Sequence, residues 1–198
     1  MTTIGILGNG RVGGSLATAL TRAGHQVSVA DRSPGSAADV ALSARLVINA
    51  TPGVGSLERL SALREELQGK ILVDVSNATT DGPDGLPTDL IYPGSSLAEH
   101  LQEALPGTHV VKTLNTMLFT VMTSPATLAQ APTVFLSGDE PGAKRVVRGL
   151  LGDLGWRDAW ITDLGGIETA RAAEAAILFV PHVIRSTGFT PFAVSIAR

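Results

Sequence analysis

The chain has 198 residues, 44% of them apolar, enough to bury a full core as one α/β domain with a smaller appendage but not as two full-sized domains. A formal charge of −3, from 15 basic and 18 acidic residues spread along the sequence, leaves no basic patch for nucleic acid and no polybasic membrane anchor. The absence of cysteine excludes disulfides, thiolate chemistry and cysteine-held metal sites, and His25, His100, His109 and His182 lack metal-ligand spacing, so no metal is expected.

Thr3–Leu7 reads as a short apolar strand that runs into Gly8-Asn9-Gly10-Arg11-Val12-Gly13, a GxGxxG motif opening an amphipathic helix over Val12–Ala23 with Val12, Leu16 and Leu20 on one face. The motif alone is weak, but a strand before it and a helix after it form the context a dinucleotide requires. Gly8 permits the tight turn, Gly10 keeps side chains away from a pyrophosphate, and Gly13 lets the helix pack closely on the sheet. The helix N-terminus then offers free N–H groups and a positive dipole end to phosphate. Because this strand starts at Thr3, it leaves no room for a signal peptide, and the apolar stretch Ala175–Val180 is stopped by Pro181. That stretch is far short of the ~20 residues that span a bilayer, so a cytoplasmic protein without a membrane partner is expected.

Further strands are expected over Gln26–Asp31, Arg45–Thr51, Lys70–Ser76, His109–Leu114 and Thr133–Ser137, most of them continuously apolar, as strands buried on both faces of a parallel sheet are. Helices are expected between them over Ser36–Ser43, Ser56–Gln68, Ser96–Ala104 and Pro141–Leu154. A short strand around Trp160-Ile161 and a last helix over Ile167–Val180 follow. This alternation predicts a Rossmann-type doubly wound parallel sheet in residues 1–131 and a small C-terminal α/β extension in residues 132–198. Residues 77–96 are rich in turn formers and read as a long loop, of the kind that is either functional, here covering a ligand, or disordered.

Ligands of open α/β sheets bind beyond the C-terminal strand ends, and the chemistry is sought there. Asp31, eighteen residues past Gly13, stands where an acidic side chain accepts hydrogen bonds from the ribose hydroxyls of NAD; it also reads as a turn residue satisfied by local backbone. Arg32 and Ser33, next to it, suit a 2′-phosphate, so NADP and NAD both stay open. Thr51-Pro52 sets a rigid turn suited to the nicotinamide ribose, and equally to ending a strand. Ser76, Asn77, Asn115 and Thr116 offer uncharged donors and acceptors near a ring, whereas Asp74, inside an apolar strand, reads as structural.

An alcohol dehydrogenase needs a general acid or base, commonly His or Lys. Of Lys70, Lys112 and Lys144 only Lys112 is near a strand end, where it reads as a paired charge, and His182, nearest a possible pocket, reads as structural. No catalytic side chain is assigned, which favours hydride transfer between two ring cofactors, where binding supplies proximity. Glu168, Arg171 and Glu174 are spaced to pair along one helix face, beside a small-residue face of Ala170, Ala173, Ala176 and Ile177 suited to close packing.

The segments Gly8-Asn9-Gly10-Arg11-Val12-Gly13, Ile71-Leu72-Val73-Asp74-Val75-Ser76-Asn77, Val110-Val111-Lys112-Thr113-Leu114-Asn115-Thr116 and Asp163-Leu164-Gly165-Gly166…Ala170-Arg171…Glu174 occur in the order found in the NADPH:coenzyme F420 oxidoreductase family, and the chain resembles that family over nearly its whole length. The family includes the reductase domain of the STEAP metalloreductases. The resemblance implies a Rossmann domain binding NADP(H), a C-terminal part covering the cleft, a homodimer, and hydride transfer between nicotinamide C4 and C5 of a deazaflavin without a protein acid or base. It implies that Gly8, Asn9, Gly10, Arg11 and Val12 hold the pyrophosphate, that Arg32 and Ser33 lie at the adenosine end, and that Thr51, Pro52, Asn115 and Thr116 frame the nicotinamide. The resemblance implies NADP, but Asp31 replaces the family serine that touches the 2′-phosphate, and because an acidic group there repels a phosphate NAD is kept as an alternative. Gly53-Val54-Gly55 stands where many relatives carry a bulky aromatic, implying a wider pocket open to FMN, FAD or another ring in place of coenzyme F420. Two other functions remain: a non-catalytic NAD(P)-binding module that senses redox state or serves a partner, and a β-hydroxyacid-type dehydrogenase. The second normally needs a lysine base and a large helical domain, for which too few residues follow Pro132.

Overall fold

Strands without a polar face must be covered by helices on both sides, and the chain meets that requirement with one central sheet. In the computed structural model, which describes residues 1–197, β1 (Thr3–Leu7) leads into α1 (Arg11–Arg22), β2 (Gln26–Val29), α2 (Ser36–Ser43) and β3 (Leu46–Asn49). Two short helices, α3 (Ser56–Ser61) and α4 (Arg64–Leu67), precede β4 (Ile71–Asp74), the strands β5 (Thr79–Asp81) and β6 (Pro87–Leu90), α5 (Leu97–Ala104) and β7 (His109–Thr113). Then come α6 (Phe119–Met122), β8 (Val134–Ser137), α7 (Pro141–Asp153), β9 (Ile161–Gly165), α8 (Ala170–Ala175) and α9 (Val180–Thr187).

The seven-stranded sheet runs β2-β1-β3-β4-β7-β8-β9, parallel from β2 to β7. Successive residues face opposite layers. Ile4, Ile6, Ile48, Val73 and Val111 pack with Leu16 and Leu20 of α1 and Val147 and Leu151 of α7. Val47, Leu72 and Val110 pack on the other side with Leu60, Leu67, Leu97 and Leu101. The connection leaving β1 turns one way to β2, and the chain then crosses to β3 on the other side, which opens a crevice at the C-terminal ends of β1 and β3.

The structure corrects four expectations. β8 runs antiparallel to β7, with Lys112 opposite Ser137 and Thr113 opposite Leu136, and β9 follows β8 in parallel, so these two strands extend the same sheet in reverse direction. Between β7 and β8 the chain carries only the four-residue α6 and a 3-10 turn, Pro125–Thr127, not a helix long enough to return it along the sheet. A strand covered on both faces has the same composition in either direction, so the apolar pattern is silent on this point. The helix expected over Ser56–Gln68 breaks into α3 and α4 at Ala62–Leu63. Residues 77–96 are not one loop but contain the β5–β6 hairpin, Thr79 opposite Leu90.

Pro181 does not stop the last helix. The chain tightens into a 3-10 turn over Ala176–Phe179 and resumes as α9, with Pro181 in its first turn, where a missing N–H costs nothing. Beyond α9 the chain returns to the sheet: Leu118 donates its N–H to the Phe192 carbonyl at 3.0 Å and Val194 donates to Thr116 at 2.9 Å. No helix among the described residues is long and apolar enough to cross a membrane.

The join between β1 and α1 is the tightest backbone contact near the crevice: a Cβ on Gly13 would lie 1.9 Å from the Gly8 carbonyl oxygen. Gly14, one residue on, has open space around it. Gly13→Ala should therefore lower the unfolding free energy by about 3 kcal/mol, the upper end of ordinary overpacking costs, read as a lower urea midpoint at unchanged slope. Gly14→Ala should raise it by up to about 1 kcal/mol through helix propensity. Equal effects of the two substitutions would refute the packing account.

Candidate functional site

A cleft of about 980 Å³ opens along the C-terminal ends of β1, β3, β4 and β7. Its size matches the upper end of the ~300–1,000 Å³ usual for small-molecule sites. At one side the chain leaves β1 through Gly8, whose φ of +106° and a Cβ position 2.6 Å from the Ala50 carbonyl both require glycine. Gly10 caps α1 without any side-chain hydrogen bond, and a Cβ there would meet nothing within 4 Å. The leading N–H groups of α1 are thus left for a ligand, with space above them for an anion.

At the end of β2, Asp31 folds back into its own turn. Ser33 donates its N–H to Asp31 Oδ1 at 2.8 Å, and Asp31 donates its own N–H to Ser36 Oγ at 3.0 Å. Hydrogen bonds to the carboxyl, first from the Ser33 backbone and then from the Ser36 side chain, hold it below its ordinary pKa, so it is ionised throughout the neutral range. Arg32 lines the cleft beside it, whereas Ser33 lies outside the lining.

The floor is a set of strand-end turns locked by side chains. Asn49, fully buried, accepts on Oδ1 from the Thr51 hydroxyl at 2.7 Å and the Thr51 N–H at 3.2 Å, and donates Nδ2 to Asp74 Oδ1 at 2.8 Å and to Ser56 Oγ at 2.9 Å. Asn77 and Asn115 bond each other reciprocally: Asn115 Nδ2 donates to Asn77 Oδ1 at 2.9 Å, and Asn77 Nδ2 donates to the Asn115 carbonyl at 3.0 Å. Asn115 Nδ2 also donates to the Ala173 carbonyl at 3.0 Å, tying α8 to the floor. Leu114, at φ +61°, is the only non-glycine in the left-handed region among the described residues. That turn at the end of β7 directs Asn115 and Met117 to the cleft and leaves Thr116 behind it, its hydroxyl buried without a partner.

All the residues expected at the site line this cleft except Ser33 and Thr116. The amides of Asn77 and Asn115 are spent largely on each other rather than held free for a ring. Lys112 is buried and paired with carboxylates, and His182 is exposed and away from the lining. Glu174 does not pair along its own helix. It is buried against β7 and the start of α5, while Arg171 reaches Glu99. From residues 77–96 only Asn77 touches the cleft, so the hairpin does not cover it.

Two features have no motif to announce them. Arg59 of α3 lines the cleft and donates Nη2 to the carbonyls of Pro52 and, at 2.9 Å, Val54, clamping the turn after β3. Within that turn a Cβ on Gly53 would sit 2.1 Å from the Asn77 carbonyl oxygen, and Val54 is 57% exposed. The far end is apolar, built from Met117, Leu118, Phe119, Ile177, Val180 and Phe192, with the Arg11 guanidinium 5.3 Å from the Phe119 ring centre. Their only common signal is apolarity, which core residues share.

The charge balance of the lining is one-sided. Arg11, Arg32 and Arg59 are in no ion pair among the described residues, and Asp31 is the one acidic residue that lines the cleft with them. The site is built for an anionic ligand with an apolar end.

The chain is similar to known proteins in sequence and in fold. A family model described as NADP oxidoreductase, coenzyme F420-dependent, matches residues 3–60. The chain is 31% identical to metalloreductase STEAP3 of Rattus norvegicus over 189 residues, covering 87% of this chain and 36% of the relative. It is 28% identical to the F420-dependent NADP reductase of Methanocaldococcus jannaschii over 138 residues, covering 69% of this chain and 60% of that one. It thus spans only part of the length of both proteins. The crystal structure of a candidate F420-dependent NADP-reductase from Arthrobacter sp. FB24 superposes over 100% of both chains with a TM-score of 0.91 at 37% identity.

Proposed function

Because the chain belongs to the F420-dependent NADP oxidoreductase family, we propose that it transfers hydride between NADP(H) and a deazaflavin- or flavin-type ring cofactor, coenzyme F420 first among them. The observation that carries this reading is the division of the cleft into an arginine-rich end at an uncapped helix N-terminus and an apolar end with no free acid or base. The titratable groups in the lining are Asp31, Arg11, Arg32 and Arg59, and arginine keeps its proton at any working pH. When bound, the nicotinamide gives or takes hydride at C4 and the second ring does the complementary step.

The chain's part is to bind, orient and exclude water. The α1 N-terminus, with Gly8, Asn9, Gly10, Arg11 and Val12, is read as holding the pyrophosphate, and the open space over Gly10 fits that role. Arg32 is read as the 2′-phosphate contact, with Ser33 outside the lining beside it. Asp31 spends one oxygen on its own turn, which leaves only the other for a ribose hydroxyl and keeps NAD as the alternative. Thr51 and Pro52, with Ser76, Asn77 and Asn115 on the floor, are read as the frame of the nicotinamide, while Thr116 stands behind them. Stacking against the apolar end supplies proximity, the main demand of a hydride transfer between bound rings. A β-hydroxyacid-type mechanism finds no lysine base here, since Lys112 is buried and neutralised.

The part covering the cleft is read as residues 132–198, of which Arg198 lies outside the described residues. It contributes Ile177, Val180 and Phe192 to the lining. The same part leaves Phe179 60% and Phe189 61% exposed, and a homodimer formed there is part of the proposal. Light scattering should give twice the chain mass, and a monomer at micromolar concentration would remove that part.

In stopped flow with NADPH, purified protein should reduce coenzyme F420 well above background, with FMN and FAD as the comparison acceptors. NADPH bound tightly by calorimetry with none of the three reduced would instead identify a non-catalytic binding module. Arg32→Ala should weaken NADPH by about tenfold or more and leave NADH nearly unchanged, the loss expected for one charge-assisted phosphate contact. Equal weakening of both nucleotides would overturn the 2′-phosphate assignment.

A further inference from the structure

The most deeply buried charges among the described residues lie beneath the cleft, and hydride transfer makes no use of them. Lys112 on β7 is 1% exposed. Its ammonium meets Asp74 Oδ2 at 2.7 Å and Glu174 Oε1 at 2.9 Å, and it also donates to the Ser76 carbonyl, which uses all its protons. Burial pulls a lysine's pKa down, but the two carboxylates outweigh it and hold Lys112 above its ordinary value.

Each partner passes the constraint on. Asp74 Oδ1 accepts from the Ser76 hydroxyl at 2.7 Å, from the Ser76 N–H at 3.3 Å and from Asn49 Nδ2 at 2.8 Å, and Asn49 Oδ1 in turn holds Thr51. Glu174 accepts the N–H groups of Leu97 at 2.9 Å and Ala98 at 3.2 Å, capping α5 from α8. One ammonium thereby joins the ends of β3 and β4, the middle of β7, the start of α5 and the helix that leads to the apolar wall. Thr51 and Ser76, the endpoints on the cleft side, both line it.

Stability alone is a poor explanation for such a cluster. Three desolvated charges with a net negative balance cost more than apolar residues of the same volume, and replacing buried ion pairs by apolar side chains is often neutral or stabilising. What apolar residues cannot do is fix two strand-end turns relative to one another through directed bonds. We propose that Lys112 is a positioning residue. Through the Ser76 carbonyl, Asp74 and Asn49 it sets the turns at Thr51 and Ser76 against each other before any ligand arrives. The consequence for cofactor affinity rests on the dinucleotide reading of the cleft, while the positioning itself does not.

The test uses Asp74→Asn and the triple variant Lys112→Met/Asp74→Asn/Glu174→Gln, which removes all three charges at nearly constant volume. In Asp74→Asn one edge of the side chain becomes a donor, so either the Lys112 side or the Ser76–Asn49 side loses its acceptor. Without ligand, amide exchange at Thr51 and Ser76 should accelerate by about tenfold or more while Ile6 in β1 keeps its wild-type rate, the mark of local opening. NADPH affinity should fall by about tenfold in both, with the melting temperature of the free protein little changed in the triple variant. Unchanged exchange at Thr51 and Ser76, acceleration spread evenly over the sheet, or undiminished NADPH affinity would each overturn the proposal. Should the triple variant not fold, Asp74→Asn is read in the same way, and loss of folding in both also overturns it. A wild-type protein that binds neither NADPH nor NADH refutes the dinucleotide reading instead, and the exchange measurement still decides what Lys112 does.

Discussion

Everything at the site depends on how closely backbone meets backbone where β1 turns into α1. The Gly8 carbonyl lies where a Gly13 side chain would be, and Gly8 itself presses on Ala50 at the end of β3. That contact brings the helix N-terminus down to the level of the strand ends and fixes the width of the crevice. The unbonded N–H groups of α1, the turn holding Asp31 and the clamped turn at Thr51 then face one space because they hang from three adjacent strands, β1, β2 and β3. A helix set back by the thickness of a methyl group would leave the same residues without a common focus.

The second constraint is electrostatic and works in two layers. At the surface of the cleft, arginines without carboxylate partners among the described residues leave positive charge available to a ligand. Beneath the floor, charge is fully spent: Lys112 on Asp74 and Glu174, and Glu174 also on the start of α5. The upper layer attracts and the lower layer holds shape. Asp31 belongs to the second kind although it sits in the first, since its carboxylate closes a turn that carries Arg32 at the rim.

What could be read from the sequence followed from local chemistry. The glycine motif, the doubly apolar strands and the strand ends bearing Asp31, Thr51, Ser76 and Asn115 are each determined by neighbours within a few residues, and these give the sheet, the crevice and most of its lining. The features that escaped depend on partners distant in the chain. Glu174 shows helical spacing with Glu168 and Arg171, but its partners Leu97 and Lys112 lie far upstream. The reversal of β8 depends on how the chain leaves β7, not on the residues of β8. Arg59 is an ordinary surface arginine by pattern, and only the fold brings the Pro52 and Val54 carbonyls to it.

The bond from Glu174 to the first amides of α5 reaches back across 77 positions of sequence, and Phe192, Val180 and Ile177 close a cleft that begins at Leu7. The site is therefore complete only when residues from both ends of the chain are in place. A fragment ending after β7 contains the residues of the glycine turn, of the parallel strands and of the Lys112–Asp74 pair, yet it lacks the carboxylate that caps α5 and the apolar wall of the cleft. Such a fragment holds one side of the cleft without the apolar wall that Ile177, Val180 and Phe192 supply from the other end of the chain.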